Sequence, residues 1–469
     1  MLHKSIFFIL SENPEKMKQA LLTIFLLFVI SFSVFSQWLK KSGSPFITEF
    51  TPQMYEAHPQ NWDIIQDQRG IMYFSNTSGL LEFDGANWTL TEMPDKNSCR
   101  GLASNRKGKI YVASLGEIGY IKPDKKGKIT YHSLNHLISE AKKPFYDIFD
   151  IFMIKDTLYF WTQKKVFTYH SDTIYGYSIE EKSESTEITA SFCYNQNPYF
   201  CIEEKGIFRL IDGVFKKIID NSTFGNRPIK STLKINKNTF LLNISNSLYT
   251  INFTSSSSEN IKIKKFKTSN SRFFKKNEIY KGMLKYEDYI VIGTSLGGIA
   301  ILDMQGNMVK IINKTDGLDI GNIYNLYKDK QNNIWVVGSN GIANIELASP
   351  ITYWDKTHGL KGYVNDIIRH QGKLYLATGN GINYLKEKDI RPIGNLKSQT
   401  WALYIYNSKI GKKLLLGSND GLFEISNTQL KSVWPKKNVF CIYSPPKSPE
   451  RVFLGLSDGL YSLAFENGE

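Results

Sequence analysis

Several protein classes are excluded by what this 469-residue sequence lacks. Four cysteines are too few for a small disulfide-stapled domain, and 34 glycines with 15 prolines are too few for a collagen-like or disordered chain. A mean hydropathy of −0.28 and a single long apolar run exclude a polytopic membrane protein. What remains is a globular chain, in which 42% hydrophobic and 13% aromatic residues are enough for large cores. This length predicts about three domains, or fewer if they are large all-β units.

Arginine is also scarce, although the chain is basic. The formal net charge is +14, but only nine of the 58 basic residues are arginine, the side chain best suited to phosphate and guanine contacts. The lysines are spread along the whole chain, with one denser stretch at 262–276. We therefore predict a solvated, lysine-rich surface and no nucleic acid as a partner, with an anionic partner as the alternative.

The one long apolar run lies near the N-terminus and has the form of an export signal. Met17-Lys18-Gln19 precedes the apolar residues 20–35, and Ser36 follows as a small residue. We predict a signal peptide over residues 1–36, cleaved after Ser36, with Met17 as an alternative start of translation. The rival is an uncleaved membrane anchor, but the run is shorter than the ~20 residues that a spanning helix needs. Cleavage predicts a periplasmic or other extracytoplasmic protein.

Export would place the four cysteines in an oxidising space. Cys193 and Cys201 are close enough in sequence to lie on neighbouring strands, so their redox state is open. Isolated buried thiols fit the pattern better, because no paired cysteine spacing recurs elsewhere in the chain.

Internal repetition is the strongest signal in the sequence. Stretches 61–88, 322–345 and 363–385 each contain an apolar strand, a polar turn, a second strand with an aromatic residue, a glycine turn and a third apolar strand. In six units the first apolar residue of the second strand lies seven residues before the turn glycine, at Met72, Tyr199, Ile334, Leu374, Leu414 and Val452. Weaker copies at 110–121, 158–169, 240–251 and 289–302 bring the total to ten units of about 43 residues.

A period near 40 residues with short strands is typical of β-propeller blades. Helical repeats would need apolar residues three and four apart, and the rungs of a β-solenoid would be shorter and would lack regular hairpin turns. Seven units span residues 44–350, where Ser349-Pro350 marks a boundary, and three units follow at 351–469. The predicted fold class is all-β, a seven-bladed β-propeller followed by an incomplete second propeller of about three blades. Because open blades leave sheet faces unburied, we expect a natural truncation or a gene-model fragment.

The repeat resembles the two-component-regulator propeller repeat of bacterial ligand-sensing proteins. Residues 323–342 carry it most fully, with Asp329 in the polar turn, Ile334-Trp335 in the second strand and Gly341-Ile342 at the start of the third. The opening at 45–50 also resembles the start of that family's sensor modules, and the resemblance covers about residues 45–465.

The resemblance implies a periplasmic module of two seven-bladed rings, followed by a β-sandwich, a transmembrane helix and a cytoplasmic output such as a histidine kinase or cyclase. This sequence departs from that pattern within its second ring. We therefore expect the C-terminal sandwich and output domains to be missing from this chain. The full-length relative would be anchored in the inner membrane and could form a homodimer.

Motifs for catalysis or metal binding are lacking. The sequence has no GxxxxGK[ST] phosphate loop and no GxSxG nucleophile elbow. His132 and His136 are four residues apart, but the glutamate of an HExxH metal motif does not follow His132, so a surface pair is the better interpretation. We predict no cofactor, no metal and no enzyme activity for this chain. Lone carboxylates in a propeller channel, as glycosidases use them, stay an alternative.

Propeller topology predicts where a ligand would bind. The glycine turn after the second strand and the segment leading into the next blade share one face, which surrounds the axial channel. The predicted ligand-binding residues on that face are Asn61, Trp62, Asn322, Tyr324, Asn365 and Trp401. Trp62 and Trp401 occupy equivalent positions, which would suit stacking on a sugar ring. The alternative is that these residues only close blades and form turns.

Three functions remain open at this point. The first is an extracytoplasmic sensor module that binds a ligand, such as a glycan or another small molecule, or docks partner domains. The second is a secreted propeller hydrolase or lyase that acts on a glycan, and the third is a protein-interaction scaffold.

Overall fold

The computed structural model describes residues 43–105, 107–125, 129–139, 147–179, 187–254, 261–387, 389–408, 411–435, 437–446 and 450–464. The predicted signal segment, residues 1–36, lies outside the described residues. The chain divides into two compact units. Unit 1 runs from Pro45 to Pro350, and unit 2 comprises Ile351 onward together with Gly43 and Ser44.

Unit 1 contains seven four-stranded antiparallel sheets, which we number as blades in chain order. Blades 1 to 3 are formed by β2 (Asn61–Gln66), β3 (Met72–Asn76), β4 (Gly79–Phe83), β5 (Trp88–Thr91); β6 (Cys99–Ser104), β7 (Ile110–Ser114), β8 (Glu117–Pro123), β9 (Ile129–Ser133); and β10 (Asp150–Ile154), β11 (Thr157–Trp161), β12 (Lys165–His170), β13 (Thr173–Ser178).

Blades 4 to 6 follow the same order. They are formed by β14 (Ile188–Tyr194), β15 (Asn197–Ile202), β16 (Gly206–Ile211), β17 (Val214–Asp220); β18 (Ile229–Lys234), β19 (Thr239–Ile244), β20 (Ser247–Phe253), β21 (Ile261–Lys265); and β22 (Ile279–Tyr286), β23 (Tyr289–Thr294), β24 (Ile299–Asp303), β25 (Met308–Ile312). Two short helices, α1 (Pro52–Tyr55) and α2 (Ser271–Lys276), lie in connections between blades.

Blade 7 joins the two ends of unit 1. Its strands β26 (Ile323–Lys328), β27 (Ile334–Gly338) and β28 (Gly341–Ile345) are completed by β1 (Ile47–Phe50), which pairs antiparallel with β28. The first strands of most neighbouring blades contact one another, including β26 with β2, so they form the inner wall of the ring. A strand from the start of unit 1 therefore completes its last sheet, which closes the ring and removes its open edges.

The hydrophobic cores show the same closure. The described residues of unit 1 form one buried cluster for each neighbouring pair of blades, seven in all. The cluster between blades 7 and 1 is rich in aromatic rings, where Phe50 of β1 stacks on Trp335 with ring centres 5.6 Å apart. Phe50 also contacts Phe83 and Trp88 of blade 1 at 5.2 and 5.3 Å, so β1 links two blades by packing as well as by hydrogen bonds.

Unit 2 contains three sheets of the same design. They are formed by β29 (Val364–His370), β30 (Lys373–Thr378), β31 (Gly381–Lys386), β32 (Asp389–Pro392); β33 (Thr400–Ser408), β34 (Gly411–Ser418), β35 (Gly421–Ser426), β36 (Gln429–Pro435); and β37 (Val439–Tyr443), β38 (Arg451–Leu456), β39 (Gly459–Ala464). Its described residues form two buried clusters, one between each neighbouring pair of sheets. The predicted all-β propeller fold class is confirmed, and the seven sheets of unit 1 with the three described sheets of unit 2 are consistent with the predicted seven-bladed propeller followed by an incomplete second propeller of about three blades.

The seven-residue spacing has a direct structural basis. In all six units the turn glycine is the first residue of the third strand, and its φ is positive, between 86° for Gly381 and 144° for Gly459. At Gly206 an added Cβ would lie 2.0 Å from the Ile219 carbonyl oxygen, so a side chain is also excluded by space.

The cysteines are isolated thiols in the described structure. Cys201 lies opposite Ala190, three residues along β14 from Cys193, so the two are separated by roughly 10 Å at about 3.3 Å per residue. That separation is too long for a disulfide. Among the described residues, no helix is long and apolar enough to span a membrane.

Candidate functional site

Bulges at the start of the inner strands create the candidate site in unit 1. The register with the second strand shifts near the first residue of β2, β6, β14, β18, β22 and β26. A bulge leaves an extra residue unpaired and turns its side chain away from the regular alternation. The residues at these bulges are Trp62, Arg100, Thr189, Lys230, Tyr280 with Lys281, and Tyr324, and all of them line one cavity.

This cavity, which we call the axial cavity, has a volume of about 400 Å³. Small-molecule sites typically have volumes of about 300–1,000 Å³. All seven blades contribute to its wall, so any molecule bound there would touch several blades at once. The other lining residues are Asp63, Asp147, Ile148, Phe149, Asp150, Trp161, Ala190, Ser191, Ser231, Thr232, Met283 and Asn325.

One side of the axial cavity is a stack of planar groups. The Trp62 and Tyr324 rings are parallel, with centres 4.6 Å apart, and the Arg100 guanidinium lies 4.0 Å from the centre of the Trp62 ring. Two groups this close cannot share one face of a ring, so Trp62 lies between Tyr324 and Arg100. Tyr280 continues the stack with its ring centre 5.2 Å from that of Tyr324, and it is 43% exposed. Tyr280 therefore offers the accessible aromatic surface at this end.

The other side of the axial cavity is polar. Lys281 of blade 6 reaches blade 3, where its Nζ donates a hydrogen bond of 2.9 Å to the Phe149 carbonyl oxygen. Its ammonium also lies 5.6 Å from the centre of the Trp161 ring. Trp161 in turn donates from Nε1 to Ser191 Oγ at 3.1 Å. The Lys281 side chain therefore links two blades that are not neighbours in the ring.

Two carboxyl groups face this cavity and have perturbed titration. Burial, with the nearby charge of Asp150 as a smaller cause, raises the pKa of Asp63 to about 6. Burial also raises the pKa of Asp150, and the positive charge of Lys281 partly opposes that increase. Carboxyl groups with a raised pKa are candidates for acid–base catalysis. Whether Asp63 has a catalytic or a structural role depends on its hydrogen bonds.

Those hydrogen bonds indicate a structural role for Asp63. Its Oδ1 accepts from the backbone N–H of Ile64 and from Asn325 of blade 7, and its Oδ2 accepts from the backbone N–H of Leu102 in blade 2. In unit 2, Asp366 accepts from the next backbone N–H and from Leu403 of the next sheet in the same manner. The same arrangement thus joins neighbouring blades in both units, which explains the carboxyl group without a catalytic step.

The structure brings two of the predicted ligand-binding residues of unit 1 into the axial cavity, Trp62 and Tyr324. Because both faces of Trp62 are covered, sugar stacking on that ring would require Tyr324 or Arg100 to move. Asn61 is completely buried and does not line the cavity; its amide hydrogen-bonds Asn76 and the Pro59 carbonyl. Asn322 is exposed outside the cavity, and its backbone N–H donates to Ser339 Oγ.

The two predicted residues of unit 2 occupy the same bulge position in their own sheets. Asn365 lies at the bulge of β29 and donates to the Thr400 carbonyl at 2.7 Å. Trp401 lies at the bulge of β33, donates from Nε1 to Asn419 Oδ1 at 2.7 Å, and contacts Phe440 edge-on at 5.2 Å. Trp62 and Trp401 are therefore equivalent in register, as expected from their spacing.

Most lining residues of the axial cavity were not predicted from the sequence. Arg100, Thr189 and Lys230 share the bulge position with Trp62 but share no chemical character with it. The signal that could have found them is positional, since each is the second residue of its inner strand. An alignment of the repeats on the second residue of each inner strand would have identified these lining residues.

The two histidines weighed as a metal pair lie on different elements of the structure. Among the described residues, no group of three or more His, Cys, Asp or Glu side chains is placed to hold an ion. His132 lies in strand β9 and stacks on Tyr120 with ring centres 5.2 Å apart, whereas His136 lies in a short 3-10 turn. The two histidines therefore do not share the helix face that the four-residue spacing would need.

Comparison with known proteins agrees with this architecture, which defines a β-propeller with an axial cavity. Residues 317–340 match the family model described as two component regulator propeller. Residues 317–340 therefore carry one copy of the two-component-regulator propeller repeat, and the resemblance predicted from the sequence is confirmed for this segment. No curated protein matches the chain.

Two solved structures from B. thetaiotaomicron share the fold. An extracellular domain assigned to a hybrid two-component system is 16% identical with a TM-score of 0.52, and the match covers 90% of this chain and 59% of that one. A second such domain is 14% identical with a TM-score of 0.50, and the same shares are covered. This chain therefore spans 59% of the length of these structures.

Proposed function

We propose that this chain is the extracytoplasmic sensor module of a bacterial signal-transduction regulator and that its ligand, a glycan, binds in the axial cavity of unit 1. The observation that carries the proposal is the convergence of bulged side chains from six blades on one cavity. The family repeat and the B. thetaiotaomicron extracellular domains support a role in signalling, and the predicted signal peptide supports export.

The lining of the axial cavity fits a saccharide in two respects. Tyr280 and Phe149 are 43% and 37% exposed and offer apolar ring surface to the C–H face of a sugar. Lysine ammonium groups and the oxygen lone pairs of serine and threonine hydroxyls on the polar side supply partners for sugar hydroxyls. This mixture of rings and convergent polar groups is typical of small-molecule sites.

The cavity also suggests how binding could become a signal. A ligand that contacts several blades would stabilise one arrangement of the ring over others, and only such a difference in affinity can shift a conformational equilibrium. The Lys281–Phe149 hydrogen bond spans the cavity. A ligand would either break this hydrogen bond or form additional hydrogen bonds beside it. In this proposal an output domain, such as a histidine kinase, then receives the change.

The test is binding of defined oligosaccharides to the purified chain, measured by calorimetry. We expect Tyr280→Ala to weaken binding at least 10-fold, because it removes the exposed ring of the stack. Tyr175→Ala is the matched control, since Tyr175 is 55% exposed on the outer strand β13, away from the cavity. Equal loss in both variants, or no loss in either, would exclude the axial cavity as the site.

The same experiment separates a sensor from an enzyme. A sensor leaves the oligosaccharide intact after prolonged incubation, as chromatography of the recovered ligand would show. Cleavage that Asp150→Asn abolishes would contradict the sensor proposal and favour the hydrolase or lyase alternative.

A further inference from the structure

Blade 5 contributes an unusual pair of polar side chains to the axial cavity. Lys230 occupies the bulge of β18, Ser231 follows it, and both line the cavity. Blade 6 is next in the ring, and its Lys281 ammonium adds a second positive charge to the same lining.

Ser231 has a buried hydroxyl without a partner. The residue is 5% exposed, and its Oγ has no hydrogen-bond partner among the described residues. The other serine and threonine hydroxyls of the lining are all engaged: Thr189 donates to the Cys201 carbonyl, Ser191 to Asp150, and Thr232 to the Ser191 carbonyl. A buried hydroxyl left unpaired is costly, so a ligand atom that accepts its proton would be stabilised.

Lys230 is half-buried and has no acceptor in the described part of the chain. The other two cations of the cavity differ in this respect. Arg100 has Asp147 as a counter-charge at 3.9 Å, and Lys281 donates to the Phe149 carbonyl. Among the described residues, the charge of Lys230 therefore has no counter-ion.

Two carboxylates of the lining are hydrogen-bonded elsewhere, and the third, Asp147, lies 3.9 Å from Arg100 without a hydrogen bond at its Oδ1. Asp63 accepts three hydrogen bonds in blades 1, 2 and 7, Asp150 accepts from Ile151 and Ser191, and Asp147 faces Arg100. None of the three has a hydrogen bond or ion pair with Lys230. An acidic group from outside the chain would supply the missing acceptor for both Lys230 and Ser231.

We infer that the ligand of the axial cavity is an acidic oligosaccharide, whose carboxylate or sulfate binds the Lys230 ammonium and the Ser231 hydroxyl while a sugar ring packs on Tyr280. This inference rests on the proposed function and narrows its substrate class. Carboxylate and sulfate present the same oxygen acceptors to an ammonium and a hydroxyl, so the probes must distinguish them.

The experiment compares matched acidic and neutral oligosaccharides by calorimetry on the purified chain. The probes are oligogalacturonates with their carboxyl-reduced counterparts, and sulfated chondroitin fragments with their desulfated counterparts. We expect at least one acidic probe to bind 10-fold or more tightly than its neutral counterpart. Whether the galacturonate or the chondroitin probe shows this preference then distinguishes a carboxylate ligand from a sulfate ligand.

Three variants test the residues. Lys230→Met and Ser231→Ala should each weaken binding of the acidic probe about 10-fold, leave the neutral counterpart unchanged and, for Lys230→Met, flatten the dependence of affinity on NaCl concentration. Lys264→Met is the matched control, because it removes one exposed charge from the outer strand β21 of the same blade. Thermal unfolding of each variant verifies that the ring is intact.

The outcomes separate this inference from the proposed function. Equal affinity for acidic and neutral probes, or full affinity in Lys230→Met, overturns the acidic class but leaves a glycan sensor in place. If no probe of either kind binds, the glycan-sensing proposal itself is overturned, and the inference fails with it.

Discussion

Units 1 and 2 are built from the same blade, but their described blades are arranged differently. In unit 1, seven sheets bury seven clusters between them, because β1 joins the last sheet and the last sheet packs on the first. In unit 2, the three described sheets bury two clusters. The repeat therefore specifies a sheet and its neighbour contacts, whereas ring closure depends on one strand outside the repeat pattern.

The equivalent tryptophans show what closure adds. Both Trp62 and Trp401 lie at an inner-strand bulge and donate a hydrogen bond to the turn after the second strand, to Thr77 and Asn419 respectively. Trp62 is covered on both faces by groups from blades 7 and 2. Trp401 contacts the ring of Phe440 edge-on. The sheet of Trp401 also has a neighbouring sheet on each side, so neighbouring sheets alone do not cover both faces of the ring at this position. In unit 1, closure of the ring brings Tyr324 of blade 7 onto Trp62.

The largest effect should come from opening the ring of unit 1. Phe50→Ala removes the ring that packs against blade 7 and blade 1, and we expect it to lower the free energy of unfolding by about 3 kcal/mol. Phe440→Ala in unit 2 should cost less than about 1 kcal/mol, since that ring is 39% exposed. Urea denaturation measures the free energy of unfolding of both variants. Similar losses in the two variants would show that β1 does not hold the ring closed.

A second effect should appear in the pH dependence of unit 1. The raised pKa of Asp63 means that the folded state binds its proton more tightly than the unfolded chain does, so protonation stabilises the fold. This stabilisation is full below about pH 4 and is lost as the pH rises through about 6, a change of about 1–3 kcal/mol.

Urea denaturation between pH 4 and 7.5 tests this titration. Asp63→Asn cannot ionise and should therefore lack the stability change that the titration of Asp63 causes. Its free energy of unfolding should fall less between pH 4 and 7.5 than that of the wild type. The same substitution at Asp366 is the control in unit 2. Parallel pH profiles for wild type and Asp63→Asn would contradict the assignment.

The smallest effect concerns the carboxylate link that both units share. Asp366→Ala leaves the Leu403 N–H without its acceptor and should cost about 1–2 kcal/mol. Asp389→Ala breaks an exposed ion pair with Arg391 and should cost less than about 0.5 kcal/mol. Thermal unfolding ranks the two variants. A larger loss of stability in Asp389→Ala than in Asp366→Ala would mean that the hydrogen bond between sheets does not contribute to the stability of unit 2.

The sequence predicted the blades well because their determinants are local. Each turn glycine occupies a backbone conformation with positive φ, and the alternation around it defines the two flanking strands. The weaker copies at 110–121, 158–169, 240–251 and 289–302 are also second and third strands of their sheets, as predicted.

The axial cavity could be predicted only in part, because its determinants are not local. Trp62 and Tyr324 were found as aromatic residues at repeated positions. Lys230 and Lys281 resemble the many surface lysines, and only the closed ring brings them to the axis. The pairing of β1 with β28 depends on residues at opposite ends of unit 1, and no repeat pattern marks it.

The most direct test of the axial cavity as the ligand site is hydrogen–deuterium exchange of the purified chain with and without a bound oligosaccharide. We predict slower exchange at the beginnings of the inner strands of unit 1, around residues 60–65, 229–232 and 279–283, and unchanged exchange in residues 351–464. Protection confined to unit 2, or absent from those inner strands while the ligand is bound, would contradict the assignment of the axial cavity as the ligand site.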